Sequence, residues 1–492
     1  MRAIASASAG VAGRVVMAAT IAAGRRAADA PTGYPRPDRV AWPGRQRDGA
    51  GGIAGSGIRQ GTAKGSPVRT ITETVDVLVA GGGTAGHVAA IQAARAGVTT
   101  SVIEAGSMLG GTMTAGGVWM PNHFFTPRGP VVQGIPWELY VRSKQAEGLP
   151  VPDWQQRRPV ETPGYYSYIN VPVYAAVAEA AAIEAGVVLH YHEFIAEAAA
   201  VGDRWEVVSL GRGVRRVSTA REIIDCSGDS DVVRLLGLPV TRATTPQPGT
   251  LQYRIDGIET EQLWKGEVQA IYEEAMRDGV LRKGDWAYAN MEPFLYYLQH
   301  GGHNATHIYD ADTSDADGQT RADIEGRERM LRMFRFVRES VPGAERARLG
   351  YMAGAALARE TYHTVGEYTV VKDDFVRATD FPDRVCNAFN YIELHSREIG
   401  CEVSFIEDPD AVPTVPLRAL VPRGSRRITV AGRNVSADRI AFAGIRAQCT
   451  CMAMGQAMGA AAALAVQRGV ASRDVPSAEI VALTVEHGAV PV

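Results

Sequence analysis

The sequence predicts an α/β fold, a parallel sheet layered with helices and interrupted by an inserted α+β unit. Three observations carry this. Val75–Ala80 is a short apolar run that leads into a glycine-rich turn and a small-residue helix. Ile223-Ile-Asp225-Cys-Ser227-Gly228-Asp229 reads as a later strand followed by a tight turn. Ile428-Thr-Val-Ala-Gly432-Arg433 reads as a last strand and turn, with a helix after it over Thr450–Ala465. Strands alternating with helices imply a sheet covered on both faces. Residues 240–424, richer in charged and aromatic side chains, read as the insertion.

The first unit is the most specific. Val75–Ala80 (VDVLVA) is apolar and β-branched, which suits a buried parallel strand. Gly81-Gly-Gly83-Thr84-Ala85-Gly86 follows in GxGxxG register, and His87–Ala96 has helical spacing and stops at Gly97. Thr99–Glu104 is the next strand and ends on an acid, 18 positions after Gly86 where about 20 are expected. In this reading Gly81 permits the tight turn, Gly83 lets the backbone approach a pyrophosphate, and Gly86 lets helix and strand pack closely. The helix N-terminus at Thr84, Ala85 and Gly86 offers free N–H groups to phosphate. Glu104, with Ala105 after it, accepts hydrogen bonds from ribose hydroxyls. A lone GxGxxG is weak, and a chance glycine turn in another α/β protein would supply that much. Strand, glycines, helix, strand and acid in order predict a three-layer FAD/NAD(P)-binding, Rossmann-like domain. The glycine-rich run Gly49–Gly57 has neither strand before it nor helix after it and is set aside.

A second glycine pair follows the ribose acid, in Gly110-Gly111-Thr112-Met-Thr114. It suits a cofactor that continues past its pyrophosphate toward a flavin. The run AGGGTAG…VIEAG…LGGTMTAGGV resembles the glutathione-reductase-type FAD fold, in the broad group of fumarate reductase and the thiazole-synthesis proteins. It is most similar to a bacterial FAD-dependent oxidoreductase family, mostly of unassigned substrate. HNATHIYDAD (303–312), ARETYHTVGEYTV (358–370), VPTVPLRALVPRG, VAGRNVSADRIAF and CMAMGQAMGAAAALA extend the resemblance over about residues 72–470. Where the family often has Asp-Ile-His, this chain has Glu393-Leu394-His395.

The resemblance implies FAD as cofactor and assigns roles further along. The late strand returns to the dinucleotide domain beside the first strand, and its turn at Gly432 and Arg433 binds pyrophosphate or ribityl. The following helix aims its N-terminus at the flavin pyrimidine, where negative charge develops on reduction. Gly455 and Gly459 let that helix pack against the cofactor, or, alternatively, against another helix. Gly228 and Asp229 match the third FAD contact of this fold, a simple αβ loop being the other reading.

The insertion reads as a substrate-binding cap with no second dinucleotide fingerprint. Electrons then come from the substrate, a transiently bound nicotinamide or a redox partner, and the terminal acceptor stays open between oxygen, nicotinamide and partner. Candidate chemical groups are His300, His303, His307, Arg359, Glu360, His363, His395, Arg433 and Arg446. Most histidines in a chain of this size are structural. His395 and Arg359 stand out as catalytic candidates because they sit in family-like motifs, the first as a base and the second to orient substrate or stabilise charge. If the triplet is a strand, Glu393 shares a face with His395 and can orient it. His87 reads as a helix-start residue, and Trp119–His123 as cover for the flavin ring.

Composition sets outer bounds. The chain has 492 residues and a formal net charge of −3, so no nucleic-acid partner is expected. Five scattered cysteines, with Cys449-Thr-Cys451 lacking CxxC spacing, suggest free thiols and no metal site. No run of about 18 apolar residues is read, so no membrane span is expected. The expected domains are an N-terminal extension (1–71), an FAD-binding domain (72–239), a cap (240–424), its C-terminal return (425–470) and a tail (471–492). A weak apolar run at Val15–Ala23 leaves export as the rival to a cytoplasmic location. The expected activity is hydride transfer between a small organic substrate and flavin. The rivals are a flavin monooxygenase and a non-redox FAD protein of the tRNA-modification type.

Overall fold

The first strand outruns its apolar core. In the computed structural model, which describes residues 68–126, 129–153, 167–406, 408 and 411–492, strand β1 spans Arg69–Ala80 rather than starting at Val75. Its outer half alternates between exposed and half-buried residues, so no apolar run marks it. Pairing holds it: β1 runs parallel to a later strand, Val214–Asp225, from Arg69 opposite Val214 to Ala80 opposite Asp225. The expected extension 1–71 therefore ends earlier, since Arg69, Thr70 and Ile71 belong to the sheet. The Gly49–Gly57 and Val15–Ala23 runs lie outside the described residues.

Helix α1 (Gly86–Arg95) and strand β2 (Thr100–Glu104) follow as the glycine pattern predicts. Strands β3 (Val188–Tyr191), β4 (Glu193–Val201), β5 (Arg204–Gly211) and β6 (Val214–Asp225) complete a sheet ordered β3-β2-β1-β6-β5-β4. The β3-β2-β1-β6 part is parallel, and β6-β5-β4 is an antiparallel meander. Because side chains alternate along a strand, β1 feeds two cores. Val77 and Val79 join the helical side with Val88 and Ile91 of α1. Leu78 and Ala80 join Val207 and Ala220 of the meander, with half-buried Trp205 against them. These are the three layers.

The insertion carries strands β7 (Tyr253–Asp256), β8 (Gly302–His303) and β9 (Arg348–Met352) as an antiparallel sheet. Helices α2 (Lys265–Arg277), α3 (Phe294–His300) and α4 (Ala316–Ser340) pack on it around Tyr253, Phe294, Tyr297, Met333 and Phe336. This separate core is smaller than the expected cap. Val370, Phe375, Val385, Val415 and Leu420 belong instead to the main core with Val77 and Val79. From that region comes a hairpin, β10 (Ile392–Ser396) and β11 (Gly400–Ser404), which pairs His395 with Cys401.

The return strand β12 (Ile428–Val430) lies parallel to β6, not beside β1 as expected. β6 fills the place next to β1 along its whole length and takes β12 on its other edge, at Ile223–Asp225. Helix α5 (Arg439–Ile445) leads to α6 (Gln448–Arg468), which packs on α1. By length and composition α6 is apolar enough to cross a membrane, against the reading that no such run exists, yet 83% of its apolar window is buried inside the fold. The expected tail is also structured, with helix α7 (Ser477–Glu486) against α6.

Candidate active site

Four chain segments meet at the C-terminal ends of β1, β2, β6 and β12. Backbone bonds join them: Gly81 N–H to Ile103 O (2.8 Å), Gly110 N–H to Gly82 O (2.9 Å), Cys226 N–H to Ala80 O (2.8 Å) and Ala431 N–H to Asp225 O (3.2 Å). The three motif glycines stand in three different surroundings. Gly81 has φ +94°, which the tight turn requires, and a Cβ on Gly86 would overlap the Gly81 carbonyl oxygen. A Cβ on Gly83 would meet only Cys226 O, at 3.8 Å. Gly83 is therefore the open side of the cradle, at the start of α1, where N–H groups have no intrahelical acceptor. This fits a dinucleotide pyrophosphate.

The second glycine pair closes over the first. Thr84 Oγ1 donates to Gly110 O (3.0 Å) and lies 2.9 Å from Thr112 Oγ1. A Cβ on Gly111 would come within 2.8 Å of Gly83 Cα, so only glycine fits there. Gln448, the first residue of α6, donates to Thr112 Oγ1 (3.3 Å) and Val118 O (3.2 Å). The α6 N-terminus thus sits against the glycine-pair loop.

Glu104 does more than the ribose role assigned to it. Its two carboxylate oxygens accept the N–H groups of Gly82 (2.8 Å) and Gly106 (2.6 Å), clamping both turns, and burial raises its pKa. Ala105 beside it is exposed. Gly228, Asp229, Gly432 and Arg433 converge from distant parts of the chain. A Cβ on Gly432 would sit 3.4 Å from Ala85 Cβ, and one on Gly228 would sit 3.0 Å from Arg433 Nη2. Asp229 and Arg433, however, pair with each other (2.6 Å), and both bond Thr361. Gly455 is a correction. A Cβ there would overlap Ala85 O, and one on Gly459 would overlap Ala89 O, so both glycines seat α6 on α1 rather than face a cofactor.

His87 is buried, with Nδ1 2.8 Å from Gly83 O and Nε2 3.1 Å from Tyr174 Oη. Burial lowers its pKa to about 4, which makes it a neutral structural residue of the helix start. Trp119, expected to cover the flavin ring, donates to His303 Nδ1 (3.0 Å), which brings its loop to the edge of the cap.

A second cluster adjoins the α6 N-terminus. His395 on β10 is fully buried, and its Nδ1 lies 2.8 Å from Nε2 of equally buried His307. Glu393, two residues before it on the same strand face, places Oε1 3.4 Å from His395 Nε2. Tyr288 donates to the same oxygen (3.3 Å), with Cys401 Sγ 3.8 Å away. Burial alone would raise the Glu393 carboxyl, but His395, Arg446 and Arg359 hold it well below the usual carboxylate range. Burial, reinforced by Arg359, lowers His395 to about 4 and also lowers His307. Both imidazoles are neutral near pH 7, so one N–H serves the short contact. The carboxylate 3.4 Å from Nε2 favours the His395 proton there, although the contact is not aligned as a hydrogen bond. His395 Nδ1 then accepts from His307 Nε2–H, and His307 Nδ1 remains as a buried lone pair with no partner among the described residues. Ligand atoms of Glu393, His395 and Cys401 lie within 4.8 Å of one another, a spacing a metal ion could bridge, but the two guanidiniums nearby oppose a dication there.

Arg359 is 7% exposed and donates to Pro248 O (2.8 Å) and Asn304 Oδ1 (3.0 Å). Arg446 donates to Gln247 Oε1 (3.3 Å) and Glu393 O (3.0 Å). Other candidates stand apart. His363 lies 3.4 Å from Glu360 and against Phe442, and His300 stacks on Tyr296. Sequence reasoning missed Gln247 and Tyr288, which no motif marks, and held His307 only in reserve.

Fold and site define a flavoprotein of the FAD-binding Rossmann type. The chain belongs to the FAD dependent oxidoreductase family, whose model matches residues 76–483, and it is an FAD-dependent enzyme. No curated protein matches it. Among solved structures it is similar to a geranylgeranyl bacteriochlorophyll reductase-like protein of Thermoplasma acidophilum. That match has 12% identity over 85% of this chain and 83% of that one, with a TM-score of 0.40. It is also similar to p-nitrophenol 4-monooxygenase of Pseudomonas putida, with 13% identity over 84% and 85% and a TM-score of 0.40. A flavoprotein/dehydrogenase of Cytophaga hutchinsonii matches with 13% identity over 81% and 80% and a TM-score of 0.39. Similarities this distant say nothing of the reaction.

Proposed function

We propose that the protein is a dehydrogenase or oxidase that takes a hydride from a small organic substrate, with the His395–His307 pair accepting the accompanying proton. The observation that supports this most is the buried 2.8 Å contact between the two imidazoles, whose strand is tied by the Arg446–Glu393 O bond to the segment leading into the α6 start. Bound FAD supplies the two-electron acceptor. Gly81, Gly83, Gly86 and Glu104 would hold its dinucleotide end, and the 110–112 loop with the α6 N-terminus would face its ring. The substrate loses a C–H hydride and an O–H or N–H proton, and a C=O or C=N bond forms. His307 Nδ1 receives the proton, and the positive charge is shared toward His395, where Glu393 lies 3.4 Å from Nε2. Both imidazoles are neutral at pH 7, and because the burial that keeps them so also weakens them as bases, Glu393 is needed to balance the charge of the transferred proton.

Anaerobic screening of small-molecule donors for loss of flavin absorbance tests this. A donor that bleaches the flavin and is recovered as its two-electron oxidised product supports it. NADPH consumption coupled to hydroxylation of an added substrate would replace it with a monooxygenase. Failure of every donor class to bleach the flavin would favour a non-redox role.

A further inference from the structure

We infer that the cluster around Arg359, Arg446 and Gln247 is a carboxylate-binding subsite, and that the substrate is a small monocarboxylic acid oxidised at the carbon next to its carboxylate. This deepens the hydride-transfer reading and rests on it. The first ground is charge. Arg359 and Arg446 attach to consecutive residues, Arg446 to the Gln247 side chain and Arg359 to the Pro248 carbonyl. Neither makes an ion pair with a carboxylate among the described residues; each donates only to carbonyl or amide oxygens. Among the described residues, Glu393 is the carboxylate on which both guanidiniums act. Glu360, next to Arg359 in sequence, turns instead to Gln247 N–H, His363 and Arg439. Two guanidiniums against one carboxylate leave one positive charge in excess in a buried place, a costly arrangement until an anion joins it.

The second ground is hydrogen-bond supply. Arg446 Nε and Gln247 Nε2 are both buried and have no acceptor among the described residues. The Gln247 orientation is fixed, because its Oε1 already accepts from His395 N–H (3.2 Å) and from Arg446. Unsatisfied donors beside excess positive charge call for an acceptor-rich anion, which a carboxylate is and an amide or ester is not. The third ground is distance. One oxygen, Gln247 Oε1, touches both the Arg446 guanidinium and the backbone of His395, so the anion subsite borders the strand that carries one imidazole of the histidine pair. A substrate spanning both carries its oxidisable C–H within a bond or two of its carboxylate, as 2-hydroxy and 2-amino acids do.

The test uses the FAD-loaded protein and needs no turnover. Its thermal midpoint is followed against acetate and against acetamide, with ionic strength held constant by sodium chloride. Acetate should stabilise saturably and acetamide should not. Arg359→Gln and Arg446→Gln should each raise the apparent acetate Kd roughly tenfold or more. Should a Gln variant fail to fold, Arg446→Lys, which keeps the charge but not the planar fork, should still weaken acetate binding. Equal responses to acetate and acetamide, or acetate binding unchanged in the foldable Arg variants, would overturn the subsite. In the donor screen, 2-hydroxy or 2-amino acids should bleach the flavin where their amides do not, and reduction by neutral donors alone would overturn the substrate class. A flat acetate response leaves the histidine pair standing. A His395 variant with normal flavin reduction leaves the anion subsite standing.

Discussion

His395 and His307 stand 88 positions apart in sequence and meet through one short contact, with ring planes at 90° and ring centres 4.9 Å apart. One comes from the β10–β11 hairpin, the other from the cap segment that follows β8. Removing either interrupts the same path, so the effects should not add. His395→Ala and His307→Ala should each retain FAD and slow reduction by a true donor about 10²–10⁴-fold, with the double variant little slower than the worse single one. Stopped-flow reduction decides it. Either single variant within about threefold of wild type removes that residue from the mechanism.

The motif glycines can be separated experimentally. Gly86→Ala forces a Cβ into the Gly81 carbonyl and should cost folding stability, seen as a lowered thermal midpoint even without flavin. Gly83→Ala meets only Cys226 O at 3.8 Å, so the fold should stand while FAD affinity falls. Equilibrium unfolding of the flavin-free proteins alongside FAD titration reads both. A Gly83→Ala protein that binds FAD like wild type would contradict the assignment of that face to the pyrophosphate.

The parts legible in sequence are those set by local chemistry. Gly81, Gly83 and Gly86 show their different surroundings because turn geometry and helix–strand approach are fixed within a few residues. The alternation Glu393-Leu394-His395 correctly places acid and imidazole on one face because a strand has period two. What sequence hides is long-range pairing. Arg69–Thr74 is rich in β-branched residues but carries no apolar run, and its pairing with β6 is what makes it strand. Gly455 reads as a cofactor contact with a helix contact as the alternative, and only the position of α1 shows that it seats one helix on another. Arg446 and Gln247 belong to no local pattern, and with His307 of the 303–312 motif they acquire meaning only where the hairpin, the cap and the α6 start come together.

Glu104 couples cofactor affinity to fold stability. Both its oxygens accept backbone N–H groups, so Glu104→Gln turns one acceptor into a donor aimed at a donor. The ribose role read from sequence predicts weaker FAD binding without loss of the fold. The structure adds a loss of about 1–3 kcal/mol in the flavin-free protein. Denaturant midpoints of the two flavin-free proteins should differ accordingly, and equal midpoints would show that the clamp contributes nothing.

Acid sensitivity should trace in part to His87. Burial lowers its pKa from the ordinary 6.5 to about 4, the bond to Gly83 O offsetting only part of the cost of charging it. Between those two values the unfolded chain takes up a proton that the folded chain refuses. His87 therefore costs the fold stability as pH falls through that window and is neutral in effect above it. From pH 7 to pH 5 this amounts to about 2 kcal/mol. His123, His303 and His395, each also lowered to about 4 by burial, act in the same direction. Glu222 and Asp231 oppose them. Burial raises both to about 7, so the fold binds their protons more readily and gains stability as pH falls toward the ordinary carboxylate range. The wild-type profile is the balance of these groups, and only a difference between variants isolates one of them. His87→Gln keeps an uncharged side chain able to reach Gly83 O. It should lower stability at pH 7, through imperfect replacement of the bonds to Gly83 and Tyr174. That deficit should shrink by about 2 kcal/mol, or reverse, at pH 5. Urea unfolding of both proteins at the two pH values measures it. A deficit that stays constant with pH would mean that His87 titrates alike in the folded and unfolded chains.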